Sequence, residues 1–340
     1  MNIRRGIYTA VLSSILVSGM VQPAVASPIH GTCQDVVLAA ALGPGLPANK
    51  TIRGTLCLPN AWAGRAHQID VLVHGATYDR TYWDWPVNPE LYSYVDDTLG
   101  AGRATFAYDR LGAGQSATPL SAAVTMAADA YVMHQVVQFL QNKLPGSEVD
   151  AVGHSFGSLV ALYEAATYHD VDRLVITGLL HTLGPVFATN PSSFYPAMLD
   201  TQFLGLFDPG YLTTLPGARG AIFYNATADP AVVAYDETHK DEASSAQFAE
   251  GMASLQTPAL LNISQHITVP VLTVVGEQDQ LFCGLLLACT QASVTAYEAP
   301  YYSGAASFTA AVIDKTAHDL ALHPSAPATF AAIDTWLQTH

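Results

Sequence analysis

The sequence predicts an α/β fold: a doubly wound, mostly parallel sheet with helices on both faces. Apolar segments typical of buried strands alternate with helical segments along most of the chain. A serine framed by glycines, Ser155, lies where one such strand turns into a helix. Half of the 340 residues are apolar and only 12% are charged, which is enough to cover both faces of a sheet.

Segments typical of strands recur along the chain. Residues 33–58 read as two edge strands joined by a loop rich in Gly and Pro. Further strands are predicted at 68–75, 104–108, 148–152, 172–178, 269–276 and 307–314, with helices at 122–140, after Ser155 and at 327–339. The order of these segments predicts parallel strands connected by helices.

Residues 181–267 interrupt this rhythm. They are rich in Tyr, Phe, Pro, Ala and Asp and show no regular strands, and the stretch is too long for a structureless loop. We therefore interpret 181–267 as a mainly helical cap inserted into a core formed by residues 27–180 and 268–340. The alternative is an extra surface layer that does not contact the substrate.

The N-terminus has the features of an export signal. Arg4 and Arg5 precede a short apolar stretch, and residues 24–26 fit a small-residue cleavage pattern, so residues 1–26 are predicted to be a signal peptide cleaved after Ala26. A retained membrane anchor is the alternative. The sequence thus predicts a secreted protein without stable insertion in a membrane.

Four cysteines remain after the signal, as expected of disulfides in an exported chain. Three pairings are possible, and we expect the local one, Cys33 with Cys57 and Cys283 with Cys289. A metal site would need a different spacing of cysteine and histidine. The formal net charge of −15 disfavours nucleic acid or an anionic membrane as a partner.

The glycine-framed serine is the candidate nucleophile. Gly153, Ser155 and Gly157 form a G-x-S-x-G pattern between a predicted strand and helix, where a tight turn would strain the serine and expose its Oγ. A serine hydroxyl needs a base, and the base needs an orienting acid. In doubly wound sheets such groups gather at the carboxyl ends of the strands.

The segments after the later strands supply both partners. His318 follows the last predicted strand and is the candidate base. Asp279 follows the strand before it and is the candidate acid, with Glu277 in reserve. Two backbone N–H groups should stabilise the oxyanion, those of Phe156 at the helix N-terminus and of Ala76 in the turn after His74.

Aromatic residues follow the predicted oxyanion turn directly. Tyr78, Tyr82 and Trp83 are candidates for the wall of a substrate pocket. An equally open interpretation is that Trp83 and Trp85 belong to the local core under the loop. No nucleotide-binding loop or metal cluster is evident, so no cofactor is predicted.

These motifs resemble the α/β-hydrolase superfamily in kind and in order. The resemblance includes His74-Gly75-Ala76, residues 109–114, the Ser155 turn, Asp279 and His318, and covers nearly the whole mature chain. It implies an eight-stranded sheet with a cap after the sixth strand, and Ser155, His318 and Asp279 as nucleophile, base and acid. A serine in place of aspartate at the nucleophile position disfavours relatives that work through an aspartyl ester.

The predicted function is hydrolysis of a carboxylic ester or lactone of an uncharged, largely apolar small molecule through an acyl-enzyme. A short-peptide aminopeptidase is the alternative, and it would need a cap carboxylate to bind the amine; the candidates are Asp208, Asp229, Asp236 and Glu237. A catalytically silent relative is less favoured. A lyase is also less favoured and would need a cation near the site, for which Lys315 is the candidate. The sequence sets no oligomeric state.

Overall fold

The computed structural model describes residues 30–62, 67–186, 193–284 and 286–340. The predicted signal peptide, residues 1–26, lies outside the described residues. The strands are β1 (Gly31–Ala40), β2 (Lys50–Pro59), β3 (Gln68–Val73), β4 (Ala104–Tyr108), β5 (Glu148–His154), β6 (Arg173–Thr177), β7 (Phe194–Pro196), β8 (Tyr211–Thr214), β9 (Ala243–Ser244), β10 (Val271–Gly276) and β11 (Phe308–Ile313). The helices of the described residues are α1 (Pro89–Tyr92), α2 (Tyr94–Gly100), α3 (Met126–Lys143), α4 (Phe156–Tyr168), α5 (Arg219–Ile222), α6 (Pro230–Thr238), α7 (Ser245–Leu255), α8 (Gln291–Glu298) and α9 (Ala326–Leu337).

The predicted sheet is confirmed. Eight strands form one sheet in the order β1-β2-β4-β3-β5-β6-β10-β11. Strand β2 is antiparallel to both of its neighbours, whereas β4, β3, β5, β6, β10 and β11 are all parallel. Every residue of β4, β6 and β10 is buried, as expected of parallel strands covered on both faces.

The parallel strands position the site. Because their carboxyl ends meet at one edge of the sheet, the loops after β3, β5, β10 and β11 all lie at that edge. Helix α4 begins there and packs with α3 on the sheet, while α2 and α9 form a second packed pair. None of the helices in the described part of the chain combines the length and the hydropathy that a bilayer span needs.

Both predicted disulfides are present. Cys33 and Cys57 face each other in the antiparallel register of β1 and β2, where they are bonded. Cys283 and Cys289 are bonded across the loop that follows β10. The first disulfide pins an exposed edge strand, and the second closes a loop that begins four residues after Asp279.

Three short strands interrupt the segment between β6 and β10. Strands β7, β8 and β9 form a separate antiparallel sheet, and helices α5 to α7 belong to the same segment. The expectation of no regular strands in residues 181–267 is therefore wrong. These strands are only two to four residues long, too short to produce a readable alternation of apolar and polar residues. We refer to residues 181–267 as the insertion.

Candidate active site

Ser155 occupies the sharp turn between β5 and α4. Its φ of 52° and ψ of −117° are rare for a residue with a side chain. A Cβ on Gly157 would lie 2.1 Å from the carbonyl oxygen of Val73, and one on Gly153 would lie 2.5 Å from the Cα of Ser158. Only glycine fits at both flanking positions, so the close approach of α4 to β3 and β5 holds the serine half-buried at the sheet edge.

A hydrogen-bonded chain connects Ser155 to the two predicted partners. His318 Nε2 lies 2.8 Å from Ser155 Oγ, and His318 Nδ1 lies 2.9 Å from Asp279 Oδ2. Asp279 is fully buried, and its other oxygen accepts a hydrogen bond from the backbone N–H of Leu281 at 3.0 Å. With Nδ1 donating to the carboxylate, Nε2 is left to accept the serine proton.

Glu277, the reserve acid, points elsewhere. Its Oε2 accepts a hydrogen bond from the backbone N–H of Lys315 at 3.0 Å, and the residue is exposed. The loops are tied together by the N–H of Gln278, which donates to the carbonyl of Thr316 at 2.8 Å. Of the two acids, Asp279 is therefore the one that contacts His318.

The surroundings shift the pKa values of two neighbouring histidines in opposite directions. Burial lowers the pKa of His318, but the adjacent Asp279 carboxylate more than offsets this, so the pKa lies above its ordinary value. Burial, and then the nearby His318, hold the pKa of His154 well below its ordinary value. His154 is packed under Tyr82, with ring centroids 4.3 Å apart, and is neutral.

The two predicted oxyanion donors lie beside the serine. Ala76 and Phe156 line the same cavity as Ser155 and His318. Phe156 is the first residue of α4, where the N–H has no carbonyl one turn earlier and the helix dipole favours negative charge. The turn carrying Ala76 touches the serine, since a Cβ on Gly75 would lie 3.3 Å from Ser155 Cβ.

The sequence itself identifies the family. Residues 71–333 match the model of the alpha/beta hydrolase family, and this range includes every residue described above. The chain belongs to the alpha/beta hydrolase family. No curated protein matches the sequence significantly.

Solved structures agree with this assignment. The hydrolase resembles a thermophilic esterase from Thermogutta terrifontis with a TM-score of 0.60 and 16% identity, over 90% of this chain and 98% of that one. An enol-lactonase from Burkholderia xenovorans has a TM-score of 0.58 and 18% sequence identity, over 85% of this chain and 97% of that one. A bromoperoxidase from Bacillus anthracis has a TM-score of 0.60 and 15% identity, over 90% of this chain and 100% of that one. At these identities the likeness shows the fold.

A cavity of about 530 Å³, including the open space at its mouth, lies over Ser155 in this hydrolase. Its walls are almost entirely apolar. The core contributes Leu159, Leu179, Leu281 and Phe282, and the insertion contributes Phe194, Phe223, Phe248, Met252 and Leu255. Because five of the fourteen residues that line the cavity come from the insertion, that segment shapes the space in front of the serine.

The three predicted pocket aromatics have different positions. Tyr78 lines the cavity, but Tyr82 and Trp83 do not. Tyr82 is fully buried against His154, and Trp83 is buried against Tyr94, with ring centroids 5.4 Å apart. The prediction that Tyr82 and Trp83 wall the pocket is therefore wrong. Both belong to the core beneath the loop, an alternative that the sequence left open for Trp83, together with Trp85, but not for Tyr82.

Tyr78 connects three parts of the hydrolase. Its hydroxyl lies 2.6 Å from Asp319 Oδ2, next to the candidate base, and 2.9 Å from Asp236 Oδ2 in the insertion. Asp319 Oδ1 lies 3.1 Å from His154 Nε2, and Asp236 also accepts a hydrogen bond from Tyr224 at 3.0 Å. This fully buried network joins the oxyanion loop, the histidine loop and the insertion.

Arg219 of the insertion holds the residue next to Ala76. Thr77 has a φ of 62°, which is strained for a β-branched residue. The Arg219 Nη1 donates to Thr77 Oγ1 at 2.8 Å and to its carbonyl at 3.3 Å, and Nη2 pairs with Asp236 at 2.8 Å. The backbone N–H of Asp241 donates to the same Thr77 carbonyl at 2.9 Å. The insertion therefore fixes the oxyanion turn from one side.

Arg110 fixes the turn from the other side. Its side chain donates to the carbonyls of His74 at 3.0 Å and Gly75 at 3.2 Å, and it pairs with Asp129 at 2.9 Å. Arg110 is buried and does not line the cavity. It therefore positions the backbone of the turn and does not face the substrate.

The sequence did not identify Arg219 or Asp319 as parts of this site, and it offered Asp236 only as a carboxylate that could bind a substrate amine. A metal ion is not favoured among the titratable groups here. One ligand atom from each of His154, His318 and Asp319 lies within 4.8 Å of the others. Each of these side chains already has a protein partner. His154 contacts Asp319, His318 contacts Ser155 and Asp279, and Asp319 contacts Tyr78. Their hydrogen bonds describe a proton-transfer and positioning network.

Proposed function

We propose that the chain is an exported serine hydrolase that cleaves a carboxylic ester or lactone of an uncharged, largely apolar substrate. One observation carries the proposal: the hydrogen-bonded chain from Asp279 through His318 to Ser155 opens into a cavity with apolar walls. An esterase and an enol-lactonase among the structural relatives belong to the same class of chemistry. Cofactors take no part in the proposed reaction.

In the first half-reaction, Ser155 Oγ attacks the ester carbonyl while His318 Nε2 accepts its proton. Asp279 stabilises the imidazolium and keeps Nδ1 as the donor. The N–H groups of Ala76 and Phe156 donate to the oxyanion of the tetrahedral intermediate. His318 then protonates the leaving alkoxide, and the alcohol departs to leave an acyl-serine.

In the second half-reaction, water replaces the alcohol. His318 removes a proton from the water, which attacks the acyl carbonyl under the same two N–H donors. The intermediate collapses, Ser155 recovers its proton from His318, and the carboxylic acid leaves. A lactone follows the same steps and yields a single hydroxy acid, because its alcohol stays attached to the acyl group.

The substrate class follows from the cavity wall. Apart from Ser155 and His318, the wall offers aliphatic and aromatic side chains, and the hydroxyl of Tyr78 already lies within hydrogen-bond distance of the carboxyl groups of Asp319 and Asp236. An unpaired charge would lose its hydration there without compensation. We infer that the insertion acts as the cap that encloses the acyl or alcohol group of a neutral substrate.

The other activities have less support. An aminopeptidase needs a free carboxylate in the cavity, yet each candidate acid already has another partner. Asp208 accepts a hydrogen bond from the N–H of Ser121, Asp229 from the N–H of Ala231 and Glu237 from the N–H of Gly217, and Asp236 pairs with Arg219. A lyase would need Lys315 in the pocket, but Lys315 is exposed and does not line it.

Export rests on two features. Residues 1–26 have the pattern of a signal peptide, and both cysteine pairs form disulfides. Disulfides persist in oxidising compartments, so they are compatible with a protein that acts outside the cytosol.

A substrate panel tests the proposed specificity. We expect turnover of a neutral p-nitrophenyl butyrate and of an alkyl-substituted lactone. The matched ester whose acyl chain ends in a carboxylate should be about 100-fold poorer in kcat/KM, because the apolar wall offers its charge no partner. Preferential cleavage of an aminoacyl anilide over the neutral esters would instead support the peptidase.

The pH dependence should follow His318. Only the neutral ring accepts the serine proton, and Asp279 raises the pKa of His318 above the ordinary value of about 6.5. We expect kcat/KM to fall about tenfold per pH unit on the acidic side, with a midpoint above pH ~6.5. In Asp279→Asn the midpoint should move to lower pH. A wild-type profile that stays flat through this range would contradict neutral His318 as the base.

Arg219→Met should slow catalysis without a matching loss of substrate affinity. Freed from Arg219, the strained Thr77 can relax and misalign the adjacent N–H of Ala76, and an oxyanion donor is worth about 10²–10³ in kcat. We expect kcat to fall at least ~10-fold with KM changed little. Arg173→Met is the matched control, since it breaks a buried ion pair with Asp150 near the amino ends of β6 and β5, away from the site. Equal kinetic losses in both variants, measured with folded protein, would contradict a specific role for Arg219.

A further inference from the structure

A second cluster of titratable side chains lies away from the cavity, between α3 and the end of α4. It consists of His134 on α3, Glu164 on α4 and Asp170 just after α4. One ligand atom from each lies within 4.8 Å of the other two, and none of the three lines the cavity over Ser155. Glu164 is nine residues further along α4 than Ser155, or about 13 Å at the helical rise.

Glu164 is the unusual member of this cluster. It is fully buried, and no N–H or hydroxyl group of the described residues donates to its carboxylate, whose hydrogen-bonding partner is the neighbouring Asp170 carboxyl. The Oδ1 of Asp170 is buried and lacks such a donor in the same way. Two adjacent carboxyl groups without donors need either a shared proton or a cation.

The surroundings favour a cation. The Oδ2 of Asp170 lies 2.6 Å from Nδ1 of His134, so a nitrogen ligand adjoins the two carboxylates. The ring of Tyr168 stacks on His134, with centroids 4.2 Å apart, and holds its orientation. The site adjoins the C-terminal end of α4, where the helix dipole attracts positive charge. The side chains of His134 and Asp170 are 17% and 18% exposed, so the cluster is in contact with solvent.

We propose that His134, Glu164 and Asp170 form a binding site for one divalent transition-metal ion. One imidazole and two carboxylates suit Zn²⁺, Mn²⁺ or Co²⁺, with water in the remaining positions. On binding, the metal takes the place of the proton on Nδ1 of His134, which moves to Nε2 of the same ring, and any proton held by Glu164 is released. The ion would brace α3 against α4, the helix that begins at the Ser155 turn, and takes no part in the hydrolytic steps.

Glu164→Gln separates a metal site from a pair of acids that share a proton. The amide resembles a protonated carboxyl in shape and can donate to Asp170, so the variant should fold, but it is a poor metal ligand. The same Glu-to-Gln change at Glu90, which is exposed on α1, provides the matched control.

The experiment titrates chelator-treated mature protein, with its disulfides intact, with Co²⁺, Mn²⁺ and Zn²⁺ by calorimetry and by the visible spectrum of Co²⁺. We expect one equivalent to bind wild type and Glu90→Gln and to raise the midpoint of thermal unfolding. Affinity should drop at least ~10-fold in Glu164→Gln and in His134→Ala, in line with the usual loss of a metal ligand or its close support. No saturable binding to wild type, or equal binding to Glu164→Gln, would overturn the proposal; a Glu164→Gln variant that is more stable without metal would point to the shared proton.

Discussion

Ser155→Ala is expected to lower kcat for a neutral ester by about 10⁴–10⁶, to a level set by the remaining binding and oxyanion groups. The alanine has no nucleophile to form the acyl-enzyme, and His318 Nε2 loses the hydroxyl that lies 2.8 Å away. The substitution leaves the strained turn in place, so the variant should fold and bind substrate. The measurement is steady-state turnover of p-nitrophenyl butyrate with freshly purified protein.

Ser158→Ala is the matched control for that result. Ser158 lies three residues further on, in α4, and its hydroxyl exchanges hydrogen bonds with the backbone of Thr177 at 3.0 and 3.1 Å. Removing it should lower the free energy of unfolding by about 1–3 kcal/mol because the buried N–H of Thr177 loses its acceptor, whereas the Thr177 carbonyl keeps the hydrogen bond from the N–H of Ser155 at 2.7 Å. Its kcat should stay within a few-fold of wild type. Retained ester turnover in Ser155→Ala, or an equal loss in Ser158→Ala, would contradict the assignment of the nucleophile.

Asp279→Asn is expected to have the second largest effect, a loss of about 10⁴ in kcat. The amide is close in size to the carboxylate, but it can donate a hydrogen bond to His318 Nδ1 and so favour the wrong tautomer. It also removes the charge that stabilises the imidazolium. Kinetics at several pH values separate this loss from the shift of the acidic limb described above.

Glu277→Gln tests whether Glu277, the reserve candidate, is the acid that supports His318. Glu277 is two residues from Asp279 and on the same loop, but it bonds the N–H of Lys315 and does not contact His318. We expect kcat within a few-fold of wild type, since the glutamine carbonyl can still accept that hydrogen bond. A loss of orders of magnitude in Glu277→Gln with only a mild loss in Asp279→Asn would reassign the acid.

The sequence predicted the site best at positions where close packing in the sheet allows only one type of residue. Gly153 and Gly157 lie so close to neighbouring backbone that no side chain fits, and this steric demand is what makes the Ser155 pattern readable. Asp279 and His318 could be found because parallel strands deliver their following loops to one edge. Local chain order and a general rule of topology were sufficient for these residues.

The insertion was less readable because its structure depends on distant contacts. Arg219 holds Thr77 across 142 residues of sequence, and no local pattern distinguishes it from an exposed arginine. Tyr82 and Trp83 follow the oxyanion turn as pocket residues would, yet aromatic side chains serve equally well in a core. Their burial against His154 and Tyr94 is settled by packing and not by spacing.

Labelling with a fluorophosphonate tests the central claim most directly. This reagent forms a stable adduct only with a serine that is activated by a base and faces oxyanion donors. We expect one adduct per folded wild-type chain, located by peptide mass spectrometry on Ser155, and none in Ser155→Ala. Labelling should be slow in Asp279→Asn and as fast as wild type in Glu277→Gln. An unlabelled Ser155 in the folded wild-type protein, or an adduct on another serine, would contradict the assignment of Ser155 as the nucleophile.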